Sequence, residues 1–356
     1  MKFSNNSLID VSNRVYYLDL LRALAIMLVF TAHTAKSFDG PEVFNTLLGF
    51  GGTGVDLFFL LSGWLIGSQL FREQEKFGNI ELKRFWYRRW MRTLPAYFTV
   101  LLFTLCQLYL TKESVPSPLP YFLFLQNYFH LSYFTVSWSL ALEEQFYLFI
   151  APFILLVVKI SSVKTQSFVL FTILVLPSVF RFFELFSTGL ETHVRLDCCI
   201  MGVYLAFIYR RQRAFWDRIA RYATPICICS ILLYVSFFVF RAFPPFENYV
   251  DPSKLMLAII FAGLLLKAAI SPVESLPFFH NIIMHISTRS YSIYLLHPDA
   301  LAVCKRIIDS DSLLVYYSAA LAISLIASEF LYRIVEVTFI NYREKFDKTK
   351  KRRAAL

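Results

Sequence analysis

The sequence predicts an all-α integral membrane protein with about ten transmembrane helices and both termini in the cytoplasm. Three observations carry that expectation. Hydrophobic residues make up 57% of the 356-residue chain, mean hydropathy is +0.55, and only 17% of residues are charged. An ordinary soluble domain is roughly 45–50% apolar and about 25% charged. Apolar stretches of roughly 17–25 residues, enough to cross about 30 Å of hydrocarbon, recur along the chain. Lys and Arg also cluster in alternate loops, which sets orientation by the positive-inside rule.

The stretches are 17–36, 48–71, 95–111, 138–158, 166–186, 194–209, 222–241, 253–270, 281–304 and 312–340. The first is too long for a signal peptide, is interrupted by Arg22 and lacks a small-residue cleavage site, so it reads as a retained helix. The second opens on Gly51-Gly52-Thr53-Gly54, which permits a break or close helix approach. The third follows an arginine-rich loop and starts at Pro95. Pro120–Leu131 is apolar but short, and reads as re-entrant or interfacial. The fourth opens at Trp138, the fifth carries Arg181, and the ninth carries His297. The sixth and seventh contain cysteine pairs. No linker is long enough to separate domains, so residues 1–342 read as one transmembrane domain and 343–356 as a basic cytoplasmic tail.

Charge fixes the orientation. Arg72–Arg92 holds seven Lys or Arg, Arg210–Arg221 five and Arg343–Arg353 seven, whereas loops 37–47, 113–137 and 187–193 hold none. The net charge of +10 is this topology signal. The basic loops are short and tethered to the membrane, so nucleic-acid binding is not expected. None of the six cysteines has zinc-ligand spacing, and no metal is expected.

Arg22 and His33 lie eleven positions apart, on one helix face and about 16 Å apart along the axis. Ionisable residues within a span are costly and mark functional sites. Counting about 1.5 Å per residue places His33 and His297 about 24 Å, and Arg181 about 22 Å, from the cytoplasmic end. The same count puts Asp56 about 12 Å, and Glu143 and Glu144 about 8–9 Å, below the outer surface. Five segments thus bring polar groups to similar depth, which points to one buried site with either histidine as acid or base. A carboxylate beside it would orient the ring. The bland alternative is structural pairing of each charge.

Arg84, Arg88 and Arg92 recur at i, i+4 and i+8, giving a cationic face beside Phe85, Trp86 and Trp90. That pattern suits a phosphate clamp or an interfacial helix on anionic lipid. Physics alone does not separate the two.

Five blocks, in order over about residues 17–300, resemble acyltransferase family 3, the multi-spanning membrane O-acyltransferases. They are Leu18-Asp-Leu-Leu-Arg22 with His33, Gly54-Val-Asp-Leu-Phe-Phe-Leu-Leu-Ser-Gly63, Arg88-Arg-Trp-Met-Arg92-Thr-Leu-Pro95, Trp138-Ser-Leu-Ala-Leu-Glu143-Glu144 and Ser290-Tyr-Ser-Ile-Tyr-Leu-Leu-His297. The resemblance implies transfer of an acetyl group from acetyl-CoA to a hydroxyl of a carbohydrate or lipid-linked glycan. It maps the family's required Arg–His pair onto Arg22 and His33, its arginine motif onto Arg88, Arg89 and Arg92, and its carboxylate onto Glu143 or Glu144. Asp56 joins Glu143 as a candidate to polarise His33. Arg181, His297 and Trp138 are candidate supporting residues.

The chain ends after the tenth stretch and a basic tail, so acceptor selection is expected to fall to the membrane domain. Lipopolysaccharide O-antigen or another surface polysaccharide is the expected acceptor, at a bacterial inner membrane and among its lipids. A macrolide, lipid or peptidoglycan acceptor is the alternative. A secondary transporter is the rival from another class, though no paired half-repeats are visible.

Overall fold

The computed structural model describes residues 16–38, 42–130, 133–241, 253–271, 277–308 and 312–353. Residues 1–15 and 354–356, the ends of the expected domain and tail, lie outside the described residues. Among the described residues the fold is helical throughout, with no strand. The helices are α1 (Tyr16–Ser37), α2 (Glu42–Gly49), α3 (Gly54–Phe77), α4 (Leu82–Thr111), the single turn α5 (Leu119–Phe122), α6 (Trp138–Val157) and α7 (Val163–Phe182). They continue as α8 (Asp197–Arg211), α9 (Arg213–Ala220), α10 (Ala223–Arg241), α11 (Ser253–Ile270), α12 (Pro277–Ile307), α13 (Leu313–Leu331) and α14 (Val337–Arg353).

Each of the ten apolar stretches is helical. A helix is not yet a span, however. Among the described residues, six segments are long and apolar enough to cross a bilayer: Tyr16–Ser37, Leu47–Phe77, Leu82–Thr111, Thr135–Val157, Val163–Phe182 and Leu313–Lys345. Arg213–Ala220 and Ala223–Val239, bent by 68°, supply a seventh if they form one broken span. Two of the remaining helices, α8 and α12, fall outside this set for physical reasons. The 15 residues of α8 rise only roughly 22 Å. Polar groups such as His285, Arg289, His297 and Asp299 crowd α12. The chain is a multi-pass membrane protein.

The arginine-rich segment is not a separate loop. It forms the first turns of α4, a 30-residue helix that continues through Pro95. Pro120–Leu131, described up to residue 130, holds α5 and a 3₁₀ turn at Gln126–Tyr128.

Glycines set how closely the central helices approach. A Cβ on Gly63 would lie 1.9 Å from the Cys199 carbonyl oxygen, and one on Gly202 2.2 Å from that of Leu60. The α3 and α8 backbones therefore touch through a small-residue seam. Gly51 and Gly54 do the same against the Leu28 and Ala25 carbonyls of α1, at 2.3 Å each. The glycine motif is thus a packing device that seats α3 between α1 and α8. Gly202→Ala is expected to cost about 1–3 kcal/mol, the range for overpacked interiors, seen as a lower thermal midpoint in detergent. Gly52→Ala, whose Cβ would meet nothing within 4 Å, is the control.

Candidate active site

Two cavities lie toward opposite ends of α1. The first, about 400 Å³, is lined by residues of α1, α3, α4, α6, α8 and α12. Its charge comes from Arg22, Arg72, Arg89, Arg92 and Arg210, set against one lining carboxylate, Glu143. Asp19, buried beside the cavity, accepts a hydrogen bond from Arg22 Nη1 at 3.1 Å and one from Ser287 at 2.6 Å. The Arg89 guanidinium donates to Gln69 Oε1 at 3.1 Å. Tyr147 donates to Glu143 Oε2 at 3.1 Å, and its hydroxyl also pairs with Ser62 at 2.8 Å. Glu144 does not line this cavity. It is buried and accepts from Thr93 at 2.6 Å. Adjacent residues on a helix point about 100° apart, so only one of the two carboxylates can face the opening.

The second cavity, about 450 Å³, is lined by His33, Lys36, His130, Trp138, Ser187 and Thr188 among others. Its loop wall is fixed by Glu191, which accepts from the Ser187 and Thr188 amides at 2.8 Å each and from the Ser187 hydroxyl at 2.9 Å. Burial pushes the Glu191 pKa up. These hydrogen bonds outweigh it and hold the carboxyl at about 2.

The two histidines form a directional pair. His33 Nδ1 lies 2.7 Å from His297 Nε2, with the rings stacked at 4.8 Å. His297 is fully buried, and its Nδ1 faces the Tyr294 carbonyl at 2.8 Å and that of Ile293 at 3.2 Å. Carbonyls only accept, so His297 carries its proton on Nδ1. Its Nε2 therefore accepts from His33 Nδ1–H. In the neutral pair this leaves the lone pair of His33 on Nε2, and His33 is the member that lines a cavity.

Tyr294 divides the cavities. It lines the first, packs its ring 5.6 Å from His297, and joins its hydroxyl to Ser139 Oγ at 2.6 Å and to the Val136 carbonyl at 2.9 Å. Val136 and Trp138 face the second cavity, and Ser139 and Leu140 face the first. The wall between the cavities is one short stretch of chain.

The profile of a family described as an acyltransferase domain matches residues 15–333, nearly the whole chain. The chain belongs to the acyltransferase 3 family. Among curated relatives, a Staphylococcus aureus (strain COL) protein named "Putative O-acetyltransferase" is 26% identical over 353 residues, covering 90% of this chain and 56% of its own length. The peptidoglycan O-acetyltransferase of Listeria monocytogenes (serovar 1/2a) is also 26% identical, over 92% of this chain and 57% of its own. A Bacillus subtilis (strain 168) protein named "Putative peptidoglycan O-acetyltransferase" is 28% identical over 79% of this chain and 47% of its own. The chain thus spans about half the length of these relatives. No solved structure matches it.

This acyltransferase 3 chain does not gather its sequence-predicted residues at one point. Arg22, Arg89, Arg92 and Glu143 share the first cavity. His33 and Trp138 share the second, with His297 behind His33. Arg88 faces a side cavity next to the first. Neither Glu143 nor Asp56 is hydrogen-bonded to His33, and His297 takes the place expected for a carboxylate. Asp56 is instead drawn between Arg195 and Lys254, at 3.4 Å each. The guanidinium of its partner Arg195 lies 5.0 Å from the ring centre of Trp138, which lines the second cavity. Arg181 lines neither cavity and pairs with Asp197.

Arg72, Arg210, Tyr294 and Lys36 are site-lining residues that sequence reasoning did not single out. Arg72 and Arg210 were visible only as orientation charges. Tyr294 stood within a quoted motif, with nothing to mark it beyond its neighbours.

Proposed function

We propose that this protein is a membrane O-acetyltransferase that moves an acetyl group from acetyl-CoA in the first cavity to a carbohydrate hydroxyl in the second. The observation that carries the reading is the pairing of an arginine-lined cavity with a histidine-bearing one across a single short wall. Guanidinium forks suit the donor's phosphates, and the basic loops favour a cytoplasmic position for that end. The uncharged hydroxyls and aromatic rings of the second cavity suit a sugar.

His33 Nε2 serves as base toward the acceptor hydroxyl or as first recipient of the acetyl group. In the first route the acceptor oxygen attacks the thioester carbon as its proton passes to His33, and the CoA thiolate leaves. Trapping of an acetylated protein by donor alone would select the second route. Glu143, held by Tyr147, sits at the donor side and helps set the charge around Arg89.

The relatives' names favour a cell-wall glycan such as peptidoglycan over the O-antigen expected from the sequence. The bacterial sources of these relatives and the multiple apolar helices of this chain favour a bacterial cytoplasmic membrane. Labelled acetyl-CoA supplied to one face of proteoliposomes should give acetylated glycan on the other. Arg89→Ala should raise the donor KM about tenfold or more, the scale of a lost charge-assisted hydrogen bond. Acceptor flux in vesicles without any acetyl donor would instead identify a transporter.

A further inference from the structure

Beside the first cavity lies a second cationic chamber of about 390 Å³. It is lined by Arg72 and Lys76 from α3 and by Arg84 and Arg88 from α4, and it shares Gln69 and Arg72 with the first cavity. The turn between the two helices is tightly built. Gly78 adopts a left-handed conformation at φ 68° and caps α3 through its amide on the Gln74 carbonyl. Gln74 Nε2 donates to the Gly78 carbonyl at 3.1 Å, and the Glu81 amide donates to Glu73 Oε1 at 3.0 Å. The hairpin therefore fixes two cation pairs, each spaced i, i+4, against one another.

Like charges at i, i+4 destabilise a helix, and two such pairs face each other here. Glu73 is the one carboxylate in the lining, and its Oε1 is already taken by the turn. An arrangement of this kind gains when a multiply charged anion enters. Phe77, 64% exposed at the rim, offers a flat apolar face beside the cations. The first cavity alone, at about 400 Å³, sits low in the range of roughly 300–1,000 Å³ for small-ligand sites. That is tight for a donor carrying both a long pantetheine arm and a nucleotide.

We propose that this side chamber holds the 3′-phosphorylated adenosine end of the donor, with Lys76 and Arg84 on the 3′-phosphate and the arm passing Arg72 into the first cavity. The inference rests on the acetyl-CoA reading above and adds a recognition site to it. The shared chemistry is a phosphate dianion, which an anionic lipid headgroup would also supply. The shared lining with the first cavity favours the donor, because a headgroup needs no passage into the helix bundle.

The test compares acetyl-CoA with 3′-dephospho-acetyl-CoA in phosphatidylcholine proteoliposomes, using wild type, Lys76→Ala and Arg84→Ala. Wild type should show a KM about tenfold lower for the phosphorylated donor. Each variant should lose most of that preference by raising the acetyl-CoA KM alone, with kcat and the dephospho-donor KM unchanged. Equal use of both donors by wild type, or variants that weaken both donors alike, would overturn the proposal. A parallel series with phosphatidylglycerol added separates the lipid source. If the variants abolish stimulation by phosphatidylglycerol and leave donor preference intact, the chamber is a headgroup site and the proposal fails. Absence of transfer from either donor in every protein would instead defeat the underlying donor reading.

Discussion

His33→Ala should lower acetyl transfer by about 10²–10⁴-fold, the range for loss of a positioned acid–base group, with donor affinity unchanged. The two halves of that expectation come from different parts of α1. His33 borders the second cavity, and Arg22, Arg89 and Arg92, proposed to hold the donor, border the first. The rate should therefore fall without any change in acetyl-CoA binding. His297→Ala should give a smaller loss. It removes the acceptor for His33 Nδ1–H, so the ring can place its proton on Nε2 and rotate, but the imidazole itself remains. Transfer to labelled glycan and equilibrium donor binding, measured on the same purified protein, separate these effects. A His33→Ala protein with wild-type transfer beside an inactive His297→Ala protein would reverse the two roles.

How much of this was legible in the sequence differs by residue. That Arg22 and His33 border different cavities follows from helix geometry, because eleven positions at about 1.5 Å each must separate their environments. Depth counting was less informative for Asp56 and Arg181. Depth is one coordinate, and it does not say toward which neighbour a side chain points. Arg195 and Lys254 capture Asp56, and Asp197 captures Arg181, through packing between helices distant in sequence. The arginine motif was legible as cations but not as a partition. On α4, Arg89 and Arg92 face the first cavity, and Arg84 and Arg88 face the side chamber. Which of Glu143 and Glu144 lines the first cavity depends on the orientation of α6, which a local motif does not contain. Helix content was read correctly, and six or seven of the ten expected spans have the length and apolarity of a crossing helix among the described residues. Apolar runs report that a segment is buried, and α8 is buried among other helices while being too short to cross a bilayer.

Arg181→Met should destabilise the protein by about 3–5 kcal/mol, the cost of stranding a buried charge, with transfer falling only as far as the folded fraction falls. The guanidinium is held on two edges. Nη1 reaches Asp197 Oδ2 at 2.7 Å, and Nη2 reaches Oδ1 at 2.8 Å and Ser178 at 2.9 Å. Nη1 also donates to the Val194 carbonyl. Both partners are nearly inaccessible, at 5% and 1% side-chain exposure. Removing the arginine leaves a carboxylate among apolar side chains with Ser178 as a weak remaining donor. Removing both, as Arg181→Met with Asp197→Leu, should recover most of the stability, because a buried ion pair gains little over well-packed apolar groups of similar size. Thermal unfolding of detergent-solubilised protein reads the first effect, and specific activity per folded molecule reads the second. A single variant that stays as stable as wild type yet loses transfer would return Arg181 to the reaction. The buried bidentate geometry argues instead that this pair ties α7 to the start of α8, and so holds the helix against which Gly63 and the rest of α3 are packed.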